Sequence, residues 1–363
     1  MITNLSTNNR KFLPPKVNTL FHALVHTSLA TISSAEIDDY KQLLSSATEL
    51  EWQQVIVDLE LHRLVPLIFC SLKKHGIVDV IPPTYFKQLQ SEYSRTYRHN
   101  TLLLLVLDKI LLSMGKHDLH PILWKGAVLA DSFYPNLGMR PMRDLDFAID
   151  ADEIDLVTKV FHDLAFVSED SMKEEDAIYF ANTTGILCDV HHRVRLFEGR
   201  SENLTIDLKP KQMSISTMRI LEPNAMVVHL IVHLNGHAKT TGLELLWIVD
   251  LVYVFRRWGA KIQIEQIEKL MPDKESLVCL FRVIRFLETE FNEKFPFGIS
   301  EAAKSFKPFT LAEILRNRRL ALWGLPYPLG WLRLIAAKLG FKFRTSRPDL
   351  DRSDLFLGIA DVF

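Results

Sequence analysis

The chain has 363 residues, with 43 basic and 44 acidic side chains and a formal net charge of -1. This balance argues against broad binding to nucleic acid through charge alone. Hydrophobic residues make up 48% of the chain, which is enough for a sizeable core in two or three domains and excludes a disordered protein.

The cysteines and the N-terminal segment indicate where the protein works. Cys70, Cys188 and Cys279 are isolated in the sequence, a pattern typical of reduced intracellular thiols and not of disulfide frameworks or zinc ribbons. The N-terminal segment has no apolar stretch of a signal peptide, and no apolar run reaches the ~20 residues that a membrane span requires. These features predict a soluble, cytoplasmic protein.

Periodicity divides the chain into four regions. Residues 1–115 form a predicted helical N-terminal region, and 116–200 a small core of short strands and helices. Residues 201–300 are predicted to be helical, starting at Pro223, and 301–363 to contain C-terminal helices and a tail. The predicted fold class is therefore α+β, with a small mixed-sheet core flanked by N-terminal and C-terminal helical regions.

Within the core, the elements alternate in chain order. Strands are predicted over 121–124, 144–150, 166–170, 177–183 and 186–196, and helices over 126–134 and 152–164. The loop between the first helix and the second strand is rich in Pro, Gly and Asn. Strand, helix, strand and helix followed by a hairpin predict one compact α+β unit.

Asp144 and Asp146 are two residues apart on the second predicted strand. Side chains on a strand alternate between faces, so both carboxylates are expected on one side and Leu145 and Phe147 on the core side. Two carboxylates this close repel each other unless a cation lies between them. Mg²⁺ is the predicted ion, with Mn²⁺ as the alternative, because carboxylates and substrate phosphates are its usual ligands.

Asp189 lies on a later predicted strand and shares a face with His191, Arg193 and Arg195. If the two strands are neighbours, three carboxylates converge on one edge of the sheet. Such a cluster is typical of two-metal phosphoryl or nucleotidyl transfer. Arg193 and Arg195 either neutralise phosphate or are merely solvated.

Basic residues precede the first acid. Lys125 and Gly126 open a predicted helix, where exposed backbone N–H groups favour phosphate. Arg140 and Arg143 follow the Gly138 turn and supply forked donors. The segment 124–146 thus contains both parts of a predicted site for Mg²⁺ and a nucleoside triphosphate, although a lone Asp-x-Asp would more often be a solvated strand end.

Segment 123–166 resembles the signature region of the uncharacterised bacterial nucleotidyltransferase family, a branch of the DNA polymerase beta-like superfamily. The shared motifs are a Lys-Gly pair, a Tyr-Pro, an arginine, an Asp-x-Asp strand, the later CDVHHRV strand and the LLWIVDL helix. The resemblance covers roughly residues 50–260. It implies that Asp144, Asp146 and Asp189 are the catalytic metal ligands and that Lys125 and Gly126 form the phosphate-loop pair.

His229, His233 and His237 recur every four residues on one predicted helix. They are either partly buried structural side chains, the lining of a nucleotide or acceptor pocket, or a metal site; no HExxH motif or cysteine supports the last. Trp247 and Asp250 are expected to pack within the next helix, with a pocket role for Asp250 as the alternative. A basic amphipathic segment at 329–347 is expected to pack on the protein, or else to contact a membrane surface.

The predicted function is transfer of a nucleoside monophosphate from an NTP to an unidentified acceptor, with release of pyrophosphate. Asp144, Asp146 and Asp189 are the predicted metal ligands, and Lys125, Gly126, Arg140, Arg143 and His191 the predicted nucleotide-binding residues. Transfer of the terminal phosphoryl group at the same site is one alternative, and a non-catalytic nucleotide-binding protein is another. The acceptor is expected to be a small molecule, peptide or protein.

Overall fold

The computed structural model describes residues 15–30, 32–168, 177–192, 204–239 and 241–322. Its N-terminal part is helical: α1 Pro15–Leu29, α2 Ser34–Ser45, α3 Glu49–Leu61, α4 Val65–Lys74 and α5 Pro83–Gly115. Capping boxes begin α2 at Ser33 and Glu36, and α3 at Thr48 and Glu51, and satisfy N–H groups at each helix start. The predicted N-terminal helical region is confirmed.

One predicted helical stretch is interrupted. The apolar pattern over 50–76 forms two helices, α3 and α4, because Arg63 takes a left-handed φ of 56° and Pro66 lies in the first turn of α4. Proline lacks an N–H and is favoured at a helix start. The break directs the Arg63 side chain towards the core unit described below.

The core unit alternates strands and helices. Its elements are β1 Ile122–Leu123, α6 Lys125–Val128 with a π-helical continuation Leu129–Phe133, β2 Asp144–Ala148, α7 Ile154–Asp163, β3 Phe166–Ser168, β4 Ala177–Asn182, β5 Leu187–His191, β6 Thr205–Leu208 and β7 Met218–Leu221. All five predicted strands and both predicted helices of this unit are present. Leu145 and Phe147 are fully buried, as the strand alternation predicted.

The seven described strands form one mixed sheet in the order β3-β4-β5-β2-β1-β7-β6. β2 pairs with β5 in parallel and with β1 in antiparallel orientation, and β1 pairs with β7 in parallel. The mixed-sheet fold class is confirmed. The sheet also extends past residue 200: β6 and β7 were not predicted, since each is only four residues long and 201–300 was expected to be helical.

The remaining described elements are helical: α8 Pro223–Ala238, α9 Leu245–Trp258, α10 Ile264–Leu270, α11 Lys274–Phe291, α12 Phe297–Ala303 and α13 Leu311–Leu322. Their apolar faces join one hydrophobic core with the N-terminal helices and the sheet. None of the helices in the described ranges is both long and apolar enough to cross a bilayer. The predicted helix over 330–343 and the basic segment 329–347 lie outside the described residues.

The turn between α8 and α9 depends on Gly242. Its φ is 75°, and an added Cβ would lie 2.9 Å from the Cα of Arg318 and 2.9 Å from the carbonyl oxygen of Asn317. Both atoms belong to the backbone of α13, so neither can move away easily. The absent side chain therefore allows α13 to pack against the turn that begins α9.

We expect Gly242→Ala to lower the free energy of unfolding by about 2 kcal/mol or more, because it combines a strained φ with a backbone clash. Urea denaturation followed by circular dichroism measures this change. The matched control is Gly236→Ala in α8, where an added Cβ meets nothing within 4 Å; alanine there should stabilise the helix slightly. Equal effects of the two substitutions would contradict the packing argument.

Candidate active site

The site is built on the parallel pair β2 and β5. Their register places Asp146 directly opposite Asp189, and Ala148 opposite His191. Partners in register share a face of the sheet, so Asp189 and His191 lie on the face that carries Asp146. Like charges directly opposite each other destabilise a sheet unless another charge compensates them.

Three of these side chains form the one group of potential metal ligands in the described ranges. One ligand atom each of Asp146, Asp189 and His191 lies within 4.8 Å of the other two. Nε2 of His191 is 3.1 Å from Oδ2 of Asp189 but has no hydrogen-bond partner. Oδ1 of Asp189 is also buried without a partner. Buried polar atoms without partners are costly, and a cation between them would satisfy both.

Asp144 occupies a neighbouring position outside this three-residue group. Burial, and then the negative charge of Asp146, raise the pKa of Asp144 to about 6. The positive charges of Lys125 and Arg63 act in the opposite direction. The candidate group of three ligands thus contains His191 and not Asp144, and a metal bond from Asp144 stays a prediction.

Lys125 supplies the counter-charge. Its Nζ donates to Oδ1 of Asp146 at 2.8 Å, and the two side chains are only 17% and 5% exposed. Burial alone would lower the pKa of Lys125, but Asp146, Asp189 and Asp144 outweigh it and raise the pKa. Lys125 has a φ of 51°, a left-handed conformation that is unfavourable for a non-glycine residue and is often found at functional sites.

The loop that precedes β2 is held from the opposite side by α9. Nε and Nη2 of Arg140 donate to Oδ1 and Oδ2 of Asp250, each at 2.7 Å, and the Tyr134 hydroxyl donates to Oδ1 at 2.8 Å. Burial opposes the charge of Arg140, but Asp250 outweighs it, so the pKa of Arg140 lies above its usual range. Arg140 and Asp250 therefore form a buried bidentate ion pair.

This pairing gives Arg140 a different partner from the one expected. Sequence reasoning placed its guanidinium on the triphosphate, but the side chain is only 7% exposed and is bound to Asp250. A contact between Arg140 and nucleotide stays a prediction. Asp250 packs inside the helical region, as expected, and the signal for a buried partner was a carboxylate within the apolar LLWIVDL helix.

Two residues that sequence reasoning missed also hold the loop. Nδ2 of Asn100, on α5, donates to the carbonyl oxygens of Leu137 and Arg140, at 2.7 and 2.8 Å. Nη2 of Arg63 donates to the carbonyl oxygen of Pro141 at 2.9 Å. Asn100 is fully buried, and the sequence signal for it was an amide directly before the apolar TLLLLVL run; nothing in the sequence indicated Arg63.

The other predicted nucleotide-binding residues lie around the same loop. Gly126 is buried, and an added Cβ would lie 3.4 Å from Nη1 of Arg140, close to an ordinary contact distance, so the start of α6 lies next to the arginine. Arg143 is exposed, and its charge contributes to lowering the pKa of Arg63 after the larger effect of burial. Arg193 and Arg195 lie outside the described residues.

The α8 histidines face the Lys125 side of the site. Burial, and then the charge of Lys125, lower the pKa of His229 and His233. The same two causes lower the pKa of His237, whose ring is only partly covered by Trp247. His229 stacks on Trp124 with ring centroids 4.5 Å apart, and His233 and His237 contact Trp247. His237 is exposed, so the row runs from the buried ring of Trp124 to the surface. The three histidines belong to no three-ligand group in the described part of the chain.

Comparison with known proteins supplies the family. The model of a family described as uncharacterised nucleotidyltransferase matches residues 48–289. No curated protein matches the chain.

Three solved structures are similar to part of the chain. The solution structure of the antibiotic-resistance factor ANT(2'')-Ia is 13% identical, with a TM-score of 0.37, covering 47% of this chain and 90% of that one. The crystal structure of ANT(2")-Ia with adenylyl-2"-tobramycin is 12% identical, with a TM-score of 0.37, covering 46% and 93%. An antigenic nucleotidyltransferase-like protein from Paracoccidioides brasiliensis is 12% identical, with a TM-score of 0.36, covering 55% and 95%.

The raised pKa of Asp144 predicts that this side chain lowers the free energy of unfolding at high pH. A carboxyl group whose pKa rises from 3.8 to about 6 on folding stabilises the protein below the lower value, and this contribution is lost as the pH rises through the higher one. In EDTA, Asp144→Asn should therefore unfold with a higher free energy than wild type above about pH 6, by about 1–3 kcal/mol. The difference should shrink towards about pH 4.

Urea denaturation at several pH values measures this difference. Asp152→Asn, which neutralises an exposed acid of the same core unit, should show no such trend. A constant difference between Asp144→Asn and wild type across the pH range would rule out the electrostatic explanation.

The Arg140–Asp250 pair predicts a large loss of stability on truncation. Arg140→Met leaves Asp250 buried without its ionic partner, and we expect a loss of about 3–5 kcal/mol. Arg140→Met with Asp250→Leu should lose less than the sum of the two single substitutions, because it leaves no unpaired charge. Denaturation of the four proteins gives the coupling energy; additive effects would show that the pair does not act as one unit.

Proposed function

Since the chain belongs to the uncharacterised nucleotidyltransferase family and is an enzyme of that class, we propose that it transfers a nucleoside monophosphate from an NTP to an acceptor hydroxyl or similar group. An acceptor oxygen forms a bond to the α-phosphorus, the bond from that phosphorus to the β-bridging oxygen breaks, and pyrophosphate leaves with the electron pair. The reaction needs negative charge to be neutralised at one edge of the sheet.

We propose Mg²⁺ as the metal, with Mn²⁺ able to replace it. Asp146, Asp189 and His191 would hold the ion, and their fit rests on the two buried ligand atoms without partners, Oδ1 of Asp189 and Nε2 of His191. Two carboxylates suit both Mg²⁺ and Mn²⁺. The imidazole makes the site more favourable for Mn²⁺ than a site with oxygen ligands alone would be. The bound ion would polarise the phosphate oxygens.

The protein side chains would divide the remaining work. Asp189 would also accept the proton of the acceptor group, and Asp144 would add negative charge next to the ligands. Lys125 and the exposed Arg143 would stabilise charge on the triphosphate, with the Gly126 amide beside them. Arg140 would act by positioning, because Asp250 already binds its guanidinium.

The acceptor would approach along α8. His233, His237 and Trp247 form an aromatic row that reaches the surface at its His237 end, and the charge of Lys125 acts on both histidines. Histidines with lowered pKa values are neutral near pH 7, so they offer hydrogen bonds and ring faces to a substrate without adding charge. The three cysteines of the described part of the chain are free thiols, and we propose a cytoplasmic location.

The observation that carries this proposal is the direct opposition of Asp146 and Asp189 on parallel strands, with His191 two residues further along. The same site also suits transfer of the terminal phosphoryl group, and it suits a protein that binds nucleotide without reacting. A labelling experiment separates the three functions.

We predict that purified protein with Mg²⁺, a cell extract of small molecules and α-labelled NTP will yield a labelled acceptor, whereas γ-labelled NTP will yield labelled pyrophosphate. Asp146→Asn and Asp189→Asn should each lower the rate at least about 100-fold, because each removes a ligand carboxylate. Chromatography of the labelled products measures both outcomes.

The control is Asp152→Asn, an exposed acid of the same unit, which should retain wild-type rate. Label reaching the acceptor only from the γ position would establish phosphoryl transfer instead. Calorimetric binding of a non-hydrolysable NTP, with no product from either label and any of the four bases, would establish a non-catalytic binding protein.

A further inference from the structure

Two positions for positive charge lie around Asp146. One is taken by the ammonium of Lys125, 2.8 Å from Oδ1 of Asp146. The other lies among Asp146, Asp189 and His191, where two buried ligand atoms have no hydrogen-bond partner among the described residues. The chain has therefore filled one position with its own side chain and left ligand atoms facing the other.

We propose that Lys125 takes the place of the second metal ion, so that the protein itself binds a single divalent ion. This inference rests on the function proposed above. The carboxylates of Asp144, Asp146 and Asp189 carry three negative charges, which one divalent ion and the ammonium of Lys125 match; the guanidinium of Arg63 has its own ion pair with Glu244 at 3.5 Å. A second divalent ion would leave excess positive charge before any nucleotide binds.

The position of Asp144 also supports a site with one divalent ion and one ammonium. Asp144 lies outside the three-ligand group, and the positive charges that act on it are those of Lys125 and Arg63. In a site for two ions, a carboxylate at this place would be expected to help hold the second one. Here the charges of two cationic side chains act on it instead.

The backbone conformation of Lys125 also supports the proposal. Its left-handed φ of 51° is one that glycine adopts without cost and lysine does not. A lysine is nevertheless present, and its side chain is too buried to be an ordinary solvated ion pair. Strain of this kind persists where the side chain has a role, and the ammonium beside Asp146 is the group that this backbone conformation positions.

Titration of the full-length protein with Mn²⁺ alone, followed by the electron paramagnetic resonance of free Mn²⁺, tests the proposal. Wild type should bind one Mn²⁺ per chain. Asp189→Asn should bind this ion at least about tenfold more weakly, and its titration then shows how much Mn²⁺ binds weakly elsewhere on the surface. Lys125→Met removes the ammonium and should bind two Mn²⁺ per chain.

Three further variants make this result specific. Lys125→Gly removes the ammonium and also relieves the left-handed φ, so it should fold well and bind two ions even where the methionine variant does not fold. Lys125→Arg keeps the positive charge and should bind one. Lys159→Met, which removes an exposed lysine of α7, should also bind one.

Two ions bound by wild type, or one ion bound by folded Lys125→Gly, would overturn the proposal. Either result together with transfer of the α label would leave the proposed function standing. A wild-type chain that binds no Mn²⁺ and transfers no label would instead overturn the proposed function itself.

Discussion

The buried pair of Arg140 and Asp250 is the constraint on which the site depends. Asp250 has a side chain only 1% exposed, so its charge is tolerable only while the arginine and the Tyr134 hydroxyl bind it. The pair fixes the loop that leads into β2, and Gly126 lies next to the same guanidinium. The carboxylates of β2 and the start of α6 are thereby held relative to each other.

Around that anchor, the site holds acids that repel one another. Parallel pairing of β2 with β5 puts Asp146 beside Asp189, and strand alternation adds Asp144 on the same face. The apolar neighbours of these strands, such as Phe147 and Cys188, are completely buried and provide no compensation. The cations that do compensate, Lys125 and Arg63, come from two left-handed backbone positions outside the sheet.

Sequence reasoning could predict what local chemistry determines. The period of two in DLDFAID placed Asp144 and Asp146 on one face, and the Pro, Gly and Asn content marked the loop before them. The pairing of β2 with β5 was stated only as a condition, because periodicity within a strand does not identify the strand that pairs with it. The strands β6 and β7 were missed because four residues are too few to show a pattern.

Partners distant in the sequence could not be predicted. The role of Arg140 was read from the acids near it in the sequence, whereas its partner Asp250 lies 110 residues further along the chain. His191 was predicted to share a face with Asp189, and only the three-dimensional structure brings it within 4.8 Å of ligand atoms of both Asp146 and Asp189. Lys125 was correctly placed near the acids, but its backbone conformation has no signature in the sequence.

The long separation between Arg140 and Asp250 has a consequence for biosynthesis. During synthesis, β2 and β5 with their acids leave the ribosome first, β7 follows, and α9 leaves last. Until α9 folds, the loop before β2 lacks its ionic partner, and contacts between residues so far apart in sequence form slowly. A nascent chain thus contains all the acids of the site before it can hold them in place. The site is complete only after α9 has folded and Asp250 has bound Arg140.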